Sequence, residues 1–368
     1  MKYQPNIPSE LFNKFIENLG YMPEGQSVLV VRDIYTACYL SINNEVTFVS
    51  DDPEAISMFI NTVIVNPEFG TNDSYIFVKE NTNTEWLNTI DRIVKDMKFD
   101  VAIMNPPYDK SLHLKILEKV IDHANEVINI SPVRWLQDPL AKYKKMSDYH
   151  KYEETISKKI ESLDIIDAKI SNELFNISNF GALGIYKIGK NIGYDYDLPA
   201  KEYLGNGYSI CNKVLKRYDK LYNHMQKGTV GICVKVAEIR GFGSGKNFDI
   251  VSLIHSEPYI NGDKYKDSKF KKKDVMTKNV EDELFVKVNT IEEGKNFIDS
   301  TRTMFHHFLI KCWKMDQHVP LKFLPWMRDY TKPWTNSRFC KYFGITGYID
   351  DEHAEPDSEW ETILKTME

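Results

Sequence analysis

The chain has 368 residues, a net charge of −6 and 42% hydrophobic residues. This is enough for two domains with ordinary cores, and it excludes a uniformly basic DNA-coating protein. No stretch is long and apolar enough to suggest a membrane span, so a cytoplasmic protein without membrane contact is expected. The five cysteines form no Cys-x-x-Cys pair and the histidines lack ligand spacing, so we expect reduced thiols and no metal site.

Strands and helices alternate through the first half of the chain. Apolar and β-branched runs predict strands at 27–31, 47–52, 75–79, 99–104, 127–132, 165–170 and 184–188. Helical periodicity predicts helices at 9–20, 54–64, 86–97, 112–124 and 152–163. This order predicts an α/β fold with a mostly parallel sheet.

The most informative segment is Asn105-Pro106-Pro107-Tyr108, directly after the fourth predicted strand. Ligands of open α/β sheets gather at the carboxyl ends of the strands. Two prolines make the loop rigid and leave carbonyls without local N–H competitors. The Asn105 amide offers both a donor and an acceptor, and the Tyr108 ring offers a face for stacking. These groups suit a planar base with an exocyclic amine, although a rigid Pro-Pro turn is the structural alternative.

This loop resembles the catalytic motif of the amino methyltransferases, chiefly those that methylate adenine N6 in DNA. The resemblance implies that Asn105 and the Pro106 carbonyl accept hydrogen bonds from the target amine. It also implies that Tyr108 stacks on a flipped-out base and that S-adenosylmethionine is the methyl donor. The predicted catalytic residues are Asn105, Pro106, Pro107 and Tyr108. Residues 1–195, ending in two strands that fit a closing hairpin, resemble a Rossmann-like methyltransferase sheet.

The cofactor side departs from the family pattern. Members carry a glycine-rich turn after the first strand, whereas residues 30–38 contain no glycine, and Arg32 and Tyr35 are expected to occupy room that a cofactor normally uses. Asp51 or Asp52 ends the second predicted strand, where an acid would bond ribose hydroxyls. The alternative role for these acids is a helix N-terminus. The predicted cofactor-binding residues are Asp33, Asp51, Asp52 and Asn105.

Residues 196–368 are predicted to form a C-terminal α+β DNA-recognition domain. A glycine-rich basic loop at 240–246 and a stretch at 264–273 that interleaves lysines with aromatic residues suit phosphate and base contacts. A solvated surface loop is the alternative. The predicted DNA-binding residues are Arg134, Trp135, Arg240, Lys246, Lys264, Lys266, Lys269, Lys271, Lys272 and Lys273.

The segments at 305–310, 321–335 and 342–346 are similar to the C-terminal region of restriction–modification-type adenine methylases of phages and mobile elements. Their tryptophans and prolines are expected to form a hydrophobic clasp on the catalytic domain. The resemblance implies a site-specific DNA adenine N6-methyltransferase of a bacterial or phage-infected cell, with double-stranded DNA as partner and a homodimer as a candidate assembly. Two alternatives remain. One is a methyltransferase acting on RNA or protein glutamine, and the other is a weak or inactive methyltransferase-fold DNA-binding protein, such as a partner subunit or decoy.

Overall fold

A computed structural model describes residues 8–66, 68–69, 72–143, 149–175, 181–189, 194–217, 231–240, 251–261, 280–313, 321 and 324–368. The chain forms two compact units. The first comprises Met1–Leu136 and Asp148–Tyr196, and the second comprises Gln137–Ser147 and Asp197–Glu368. Among the described residues, none of the helices has the length and apolar character needed to cross a bilayer.

The first unit is built on seven strands flanked by helices. The strands are β1 (Ser27–Val31), β2 (Glu45–Ser50), β3 (Ser74–Phe77), β4 (Phe99–Met104), β5 (Ala124–Pro132), β6 (Ile160–Ile166) and β7 (Leu183–Ile188). The helices up to residue 175 are α1 (Pro8–Leu19), α2 (Ile34–Leu40), α3 (Pro53–Phe59), α4 (Asn83–Asp96), α5 (Leu112–Val120), α6 (Arg134–Gln137), α7 (Pro139–Lys142), α8 (His150–Thr155) and α9 (Ala168–Phe175). Of these, α7 belongs to the second unit.

The strands pair in the order β3-β2-β1-β4-β5-β7-β6. The first five are mutually parallel, and β7 runs antiparallel to both β5 and β6. The order reverses at β1, which lies between β2 and β4, and such a reversal is the ligand-binding point of open α/β sheets. The predicted α/β fold with a mostly parallel, Rossmann-like sheet is confirmed.

Alternate residues of β1 divide the core into two layers. Leu29 and Val31 pack on one face with Trp86 of α4, whereas Val28 and Val30 pack on the other face with Phe15 of α1. Successive side chains of a strand point to opposite faces, so a strand covered on both sides is apolar throughout. This explains why the short run Ser27–Val31 was recognisable as a buried strand.

One predicted pair of elements was wrong. The span 152–163 was expected to be a helix and 165–170 a strand, but β6 occupies Ile160–Ile166 and α9 follows from Ala168. Between the buried ends of β6, half-buried and exposed residues alternate, because this strand lies at the edge of the sheet. A short segment that mixes charged and apolar residues fits both the periodicity of a helix and that of a strand. Here the pairing with β7 shows that the segment forms a strand.

The second unit combines an antiparallel sheet with helices, as expected for an α+β domain. Its strands are β8 (Gly231–Arg240), β9 (Val251–His255), β10 (Tyr259–Asn261) and β11 (Val280–Val288), with β8 pairing to the other three. Its further helices are α10 (Leu198–Leu204), α11 (Gly207–Lys216), α12 (Ile291–Thr301), α13 (Met304–Trp313), α14 (Asn336–Phe343) and α15 (Glu359–Met367).

The aromatic residues of the C-terminal segment belong to the core of this second unit. The Trp326 and Tyr330 rings lie 5.3 and 5.2 Å from Phe297 of α12, and Trp334 lies 5.2 Å from Phe339 of α14 (ring centroids). The expected clasp on the catalytic domain stays a prediction. These rings are buried among residues of their own unit, which gives them a structural role in its stability.

Candidate active site

Three neighbouring strands bring the predicted loops together at one edge of the sheet. The Asn105 backbone N–H donates to the Val31 carbonyl at 3.0 Å, and the Arg32 N–H donates to the Val49 carbonyl at 2.8 Å. The residues that follow β4, β1 and β2 are therefore adjacent. This edge holds the proline loop, the glycine-free turn and the acid at the end of β2.

Asn105 and Tyr108 are joined directly. The Tyr108 hydroxyl donates to Asn105 Oδ1 at 2.8 Å and also approaches the Ile130 carbonyl of β5 at 3.2 Å. Asn105 is 2% exposed, Pro106 and Pro107 are buried, and Tyr108 is half-buried. The carboxamide is thus held in one orientation by a hydroxyl, and a carbonyl oxygen, with two lone pairs, can accept more than one hydrogen bond.

His113 packs against this loop, and the sequence patterns did not identify it as part of the site. Its ring meets the Tyr108 ring edge-on, with centroids 5.8 Å apart and planes at 83°. Burial lowers the pKa of His113 to about 3, and a hydrogen bond with the Tyr108 backbone opposes that shift. The imidazole is therefore neutral and acts as a packing and hydrogen-bonding partner. Its signal in the sequence is a histidine on the otherwise apolar buried face of α5.

Arg32 takes the conformation that glycine usually provides. Its φ is +66°, which costs a residue with a side chain about 1–2 kcal/mol. Its Nε and Nη2 donate to the two oxygens of Asp51, each at 2.7 Å. The guanidinium carbon lies 5.7 Å from the centroid of the Trp86 ring. The pair is almost covered, with side-chain exposures of 13% for Arg32 and 5% for Asp51.

Of the two residues expected to occupy cofactor space, Arg32 is the one that contacts Asp51. Tyr35 instead packs against Phe12, with ring centroids 5.9 Å apart, and stacks on Tyr39 at 6.3 Å. These contacts belong to the packing of α1 on α2.

The other two predicted acidic ligands are helix caps. Asp52 accepts a hydrogen bond from the Glu54 backbone N–H at 3.0 Å and begins α3. Asp33 accepts from the Thr36 N–H at 3.1 Å, begins α2 and is 1% exposed. Burial raises the pKa of Asp33 to about 6, although the hydrogen bond from Thr36 opposes that rise. Capping and burial account for these two carboxylates, and their contact with a cofactor stays a prediction.

The predicted contact of Trp135 with DNA is corrected. Trp135 is 3% exposed and its indole N–H donates to the Tyr186 hydroxyl at 3.1 Å, and that hydroxyl in turn donates to the Pro132 carbonyl at 3.1 Å. The ring therefore forms part of the core of the first unit and presents no face to a base. Arg134, its neighbour, is half-buried at the start of α6.

The remaining predicted DNA contacts fall largely outside the described residues. Arg240 ends β8, where its backbone pairs with Val251. The lysines that lie outside the described residues are Lys246, Lys264, Lys266, Lys269, Lys271, Lys272 and Lys273.

Comparison with known proteins adds low similarities to solved structures. No family model matches the chain, and none of the curated proteins matches it. A dimethyladenosine transferase from Plasmodium falciparum is 14% identical, with 60% of this chain and 73% of that chain covered and a TM-score of 0.35. A candidate RNA methyltransferase from Pyrococcus horikoshii is 18% identical, with coverages of 52% and 89% and a TM-score of 0.32.

A third similar structure is the magnesium protoporphyrin IX methyltransferase of Synechocystis with bound S-adenosylmethionine. It is 9% identical, with coverages of 50% and 78% and a TM-score of 0.31. At these values the similarities assign no substrate, and the fold assignment rests on the strand order and directions of the chain itself.

Proposed function

We propose that this protein is an S-adenosylmethionine-dependent amino methyltransferase that acts on adenine N6 in DNA. The observation that carries the proposal is the Asn105–Tyr108 contact at the carboxyl end of β4, beside the reversal of strand order. A fixed carboxamide acceptor next to a half-buried aromatic ring, on a loop stiffened by two prolines, suits a planar amine better than it suits a hydroxyl or thiol.

The side chains at this edge fit the chemistry of the donor. Asp51 at the end of β2 can accept hydrogen bonds from ribose hydroxyls. Asn105 follows β4, and the turn after β1 lies between these two residues. When bound, S-adenosylmethionine supplies a methyl group already activated for transfer, so the protein needs to position the amine rather than to activate it.

The residues of the loop have separate tasks in this proposal. Asn105 Oδ1 accepts a hydrogen bond from the amine and orients its lone pair. Tyr108 stacks on the extruded base, which offsets part of the few kcal/mol that base flipping costs. The amine proton leaves to solvent after transfer, so no general base is required.

The test is transfer of a labelled methyl group to duplex DNA, RNA and ribosomal protein fractions, followed by mapping of the methylated position. Label on adenine N6 of DNA, lost in Asn105→Ala, supports the proposal. Label on RNA or on glutamine would move the acceptor to one of the alternative classes while keeping the same loop chemistry.

The Arg32–Asp51 ion pair favours a second candidate, an inactive methyltransferase-fold DNA-binding protein. In this case Arg32 permanently satisfies the acid that would otherwise bind ribose. Calorimetric titration separates the two candidates. The inactive protein would bind duplex DNA with a steep salt dependence and give no heat with millimolar S-adenosylmethionine.

A further inference from the structure

The Arg32–Asp51 pair is unusual for a structural ion pair because of where it lies. Arg32 follows β1 and Asp51 follows β2, at the edge where the sheet binds ligands. Both guanidinium contacts are 2.7 Å, the fork geometry in which arginine matches a carboxylate. The backbone of Arg32 adopts a left-handed conformation, so its side chain emerges from a turn rather than from the strand.

The two side chains are complementary to two separate parts of one ligand. S-adenosylmethionine carries an α-carboxylate and a ribose diol. A guanidinium is the preferred partner of a carboxylate, and a carboxylate accepts from both hydroxyls of a diol. Without ligand, the cation and the anion of the protein satisfy each other, which avoids leaving either charge buried and unpaired.

We propose that Arg32 is a partner-exchanging residue of the donor site: it releases Asp51 when the donor binds and pairs with the donor's α-carboxylate, which frees Asp51 for the ribose hydroxyls. This inference rests on the proposed function, and it concerns recognition of the donor alone. No covalent bond is made or broken in the exchange, since one hydrogen-bonded charged pair replaces another.

The exchange makes the carboxylate of the ligand decisive. A nucleoside thioether that lacks it must separate Arg32 from Asp51 without offering the guanidinium a new partner. A nucleoside thioether that carries it replaces the bond that is lost. Wild-type protein is therefore expected to prefer S-adenosylhomocysteine over 5′-methylthioadenosine by more than tenfold (about 1.4 kcal/mol).

The experiment is calorimetric titration of the full chain with these two ligands, for wild type and Arg32→Ala. The variant is expected to bind S-adenosylhomocysteine at least about tenfold more weakly and to bind 5′-methylthioadenosine as well as wild type or better, because Asp51 is already free. Opposite responses to the two ligands distinguish exchange from other roles. Equal strengthening of both would mean that Arg32 only obstructs the site, and equal weakening would mean that it only supports the fold; either result overturns the inference.

Two further variants keep the test sharp. Arg32→Lys retains the charge but not the fork, so it is expected to keep part of the preference and to give a readable result if Arg32→Ala does not fold. An unchanged preference in Arg32→Lys counts against the exchange. Arg338→Ala is the matched control, since Arg338 lies 3.6 Å from Asp329 and 4.0 Å over Trp334 in the second unit. It is expected to leave the preference unaltered, and a change of similar size there would overturn the inference.

The outcome separates this inference from the proposed function. If wild type methylates adenine but Arg32→Ala changes the affinities for both ligands in the same way, the exchange is wrong and the proposed function stands. If the ligand pattern appears but no substrate is methylated, the donor site stands and the function is wrong. If neither ligand binds any variant, both are wrong.

Discussion

The tyrosine of the proline loop contributes a ring and a hydroxyl, and the structure predicts that they act differently. The hydroxyl holds Asn105 Oδ1 at 2.8 Å and lies 3.2 Å from the Ile130 carbonyl. Tyr108→Phe keeps the ring and removes only these contacts. An intramolecular hydrogen bond contributes about 0.5–1.5 kcal/mol, so the looser Asn105 side chain is expected to lower the transfer rate by about 2- to 12-fold.

Tyr108→Ala also removes the stacking face, which is worth about 1–3 kcal/mol per base. Together with the lost orientation of Asn105, the sum is about 1.5–4.5 kcal/mol, and a loss of about a hundredfold, near the middle of that range, is expected. The measurement is single-turnover methyl transfer to duplex DNA at saturating donor, with thermal melts to confirm that both variants fold. For Tyr108→Phe the loss should appear in the turnover rate, with little change in the DNA concentration needed for saturation.

Two results would refute this reasoning. If Tyr108→Phe is as inactive as Tyr108→Ala, the hydroxyl takes part in the reaction itself rather than orienting the amide. If Tyr108→Phe is fully active, the contact with Asn105 has no role in transfer.

Three further perturbations test the site and the stability of the second unit. Asn105→Ala should lower adenine methylation at least about a hundredfold (about 2.7 kcal/mol) without a matching loss of DNA affinity in a filter-binding assay; full activity would contradict the assignment. Burial, with the charges of neighbouring histidines, lowers the pKa of His306 from 6.5 to about 3. Below pH 6.5 the unfolded chain therefore takes up a proton at this position that the folded chain does not bind, and the contribution of His306 to the free energy of unfolding should fall by up to about 1.4 kcal/mol per pH unit down to about pH 3 while staying level above pH 6.5. Urea titrations across this range measure the slope, which His306→Gln should reduce; an equal slope in that variant would assign it to other groups. Gly347→Ala should cost at least about 2 kcal/mol in the same assay, because φ is +76° and the new Cβ would overlap the Ser358 Cβ. Gly205→Ala is its control, with φ +51° but open space around the new atom, and an equal cost in both would show that backbone strain alone is responsible.

The residue types and the position of the candidate site were predicted from the sequence, but the contacts between its side chains were not. A tetrapeptide after an apolar strand indicated the candidate catalytic loop, and the structure puts Asn105 at the end of β4 beside β1. Arg32 was expected to occupy cofactor space, but its bidentate pairing with Asp51 was not foreseen. Nor was the support that His113 gives to Tyr108. Neither contact has a local pattern, because each depends on side-chain direction at a turn or on a helix face.

The sequence by itself determined the alternation of strands and helices and the position of the proline loop, since a doubly covered strand is apolar throughout and prolines restrict their own backbone. Tertiary structure alone decided which acids cap helices, that β6 is a strand, and that Trp135 is a core residue bonded to Tyr186, 51 positions away. The physical reason is the separation along the chain of the residues that interact. Periodicity reports only the environment of each residue within its own element, whereas burial and ion pairing are set by strands that lie together in the sheet.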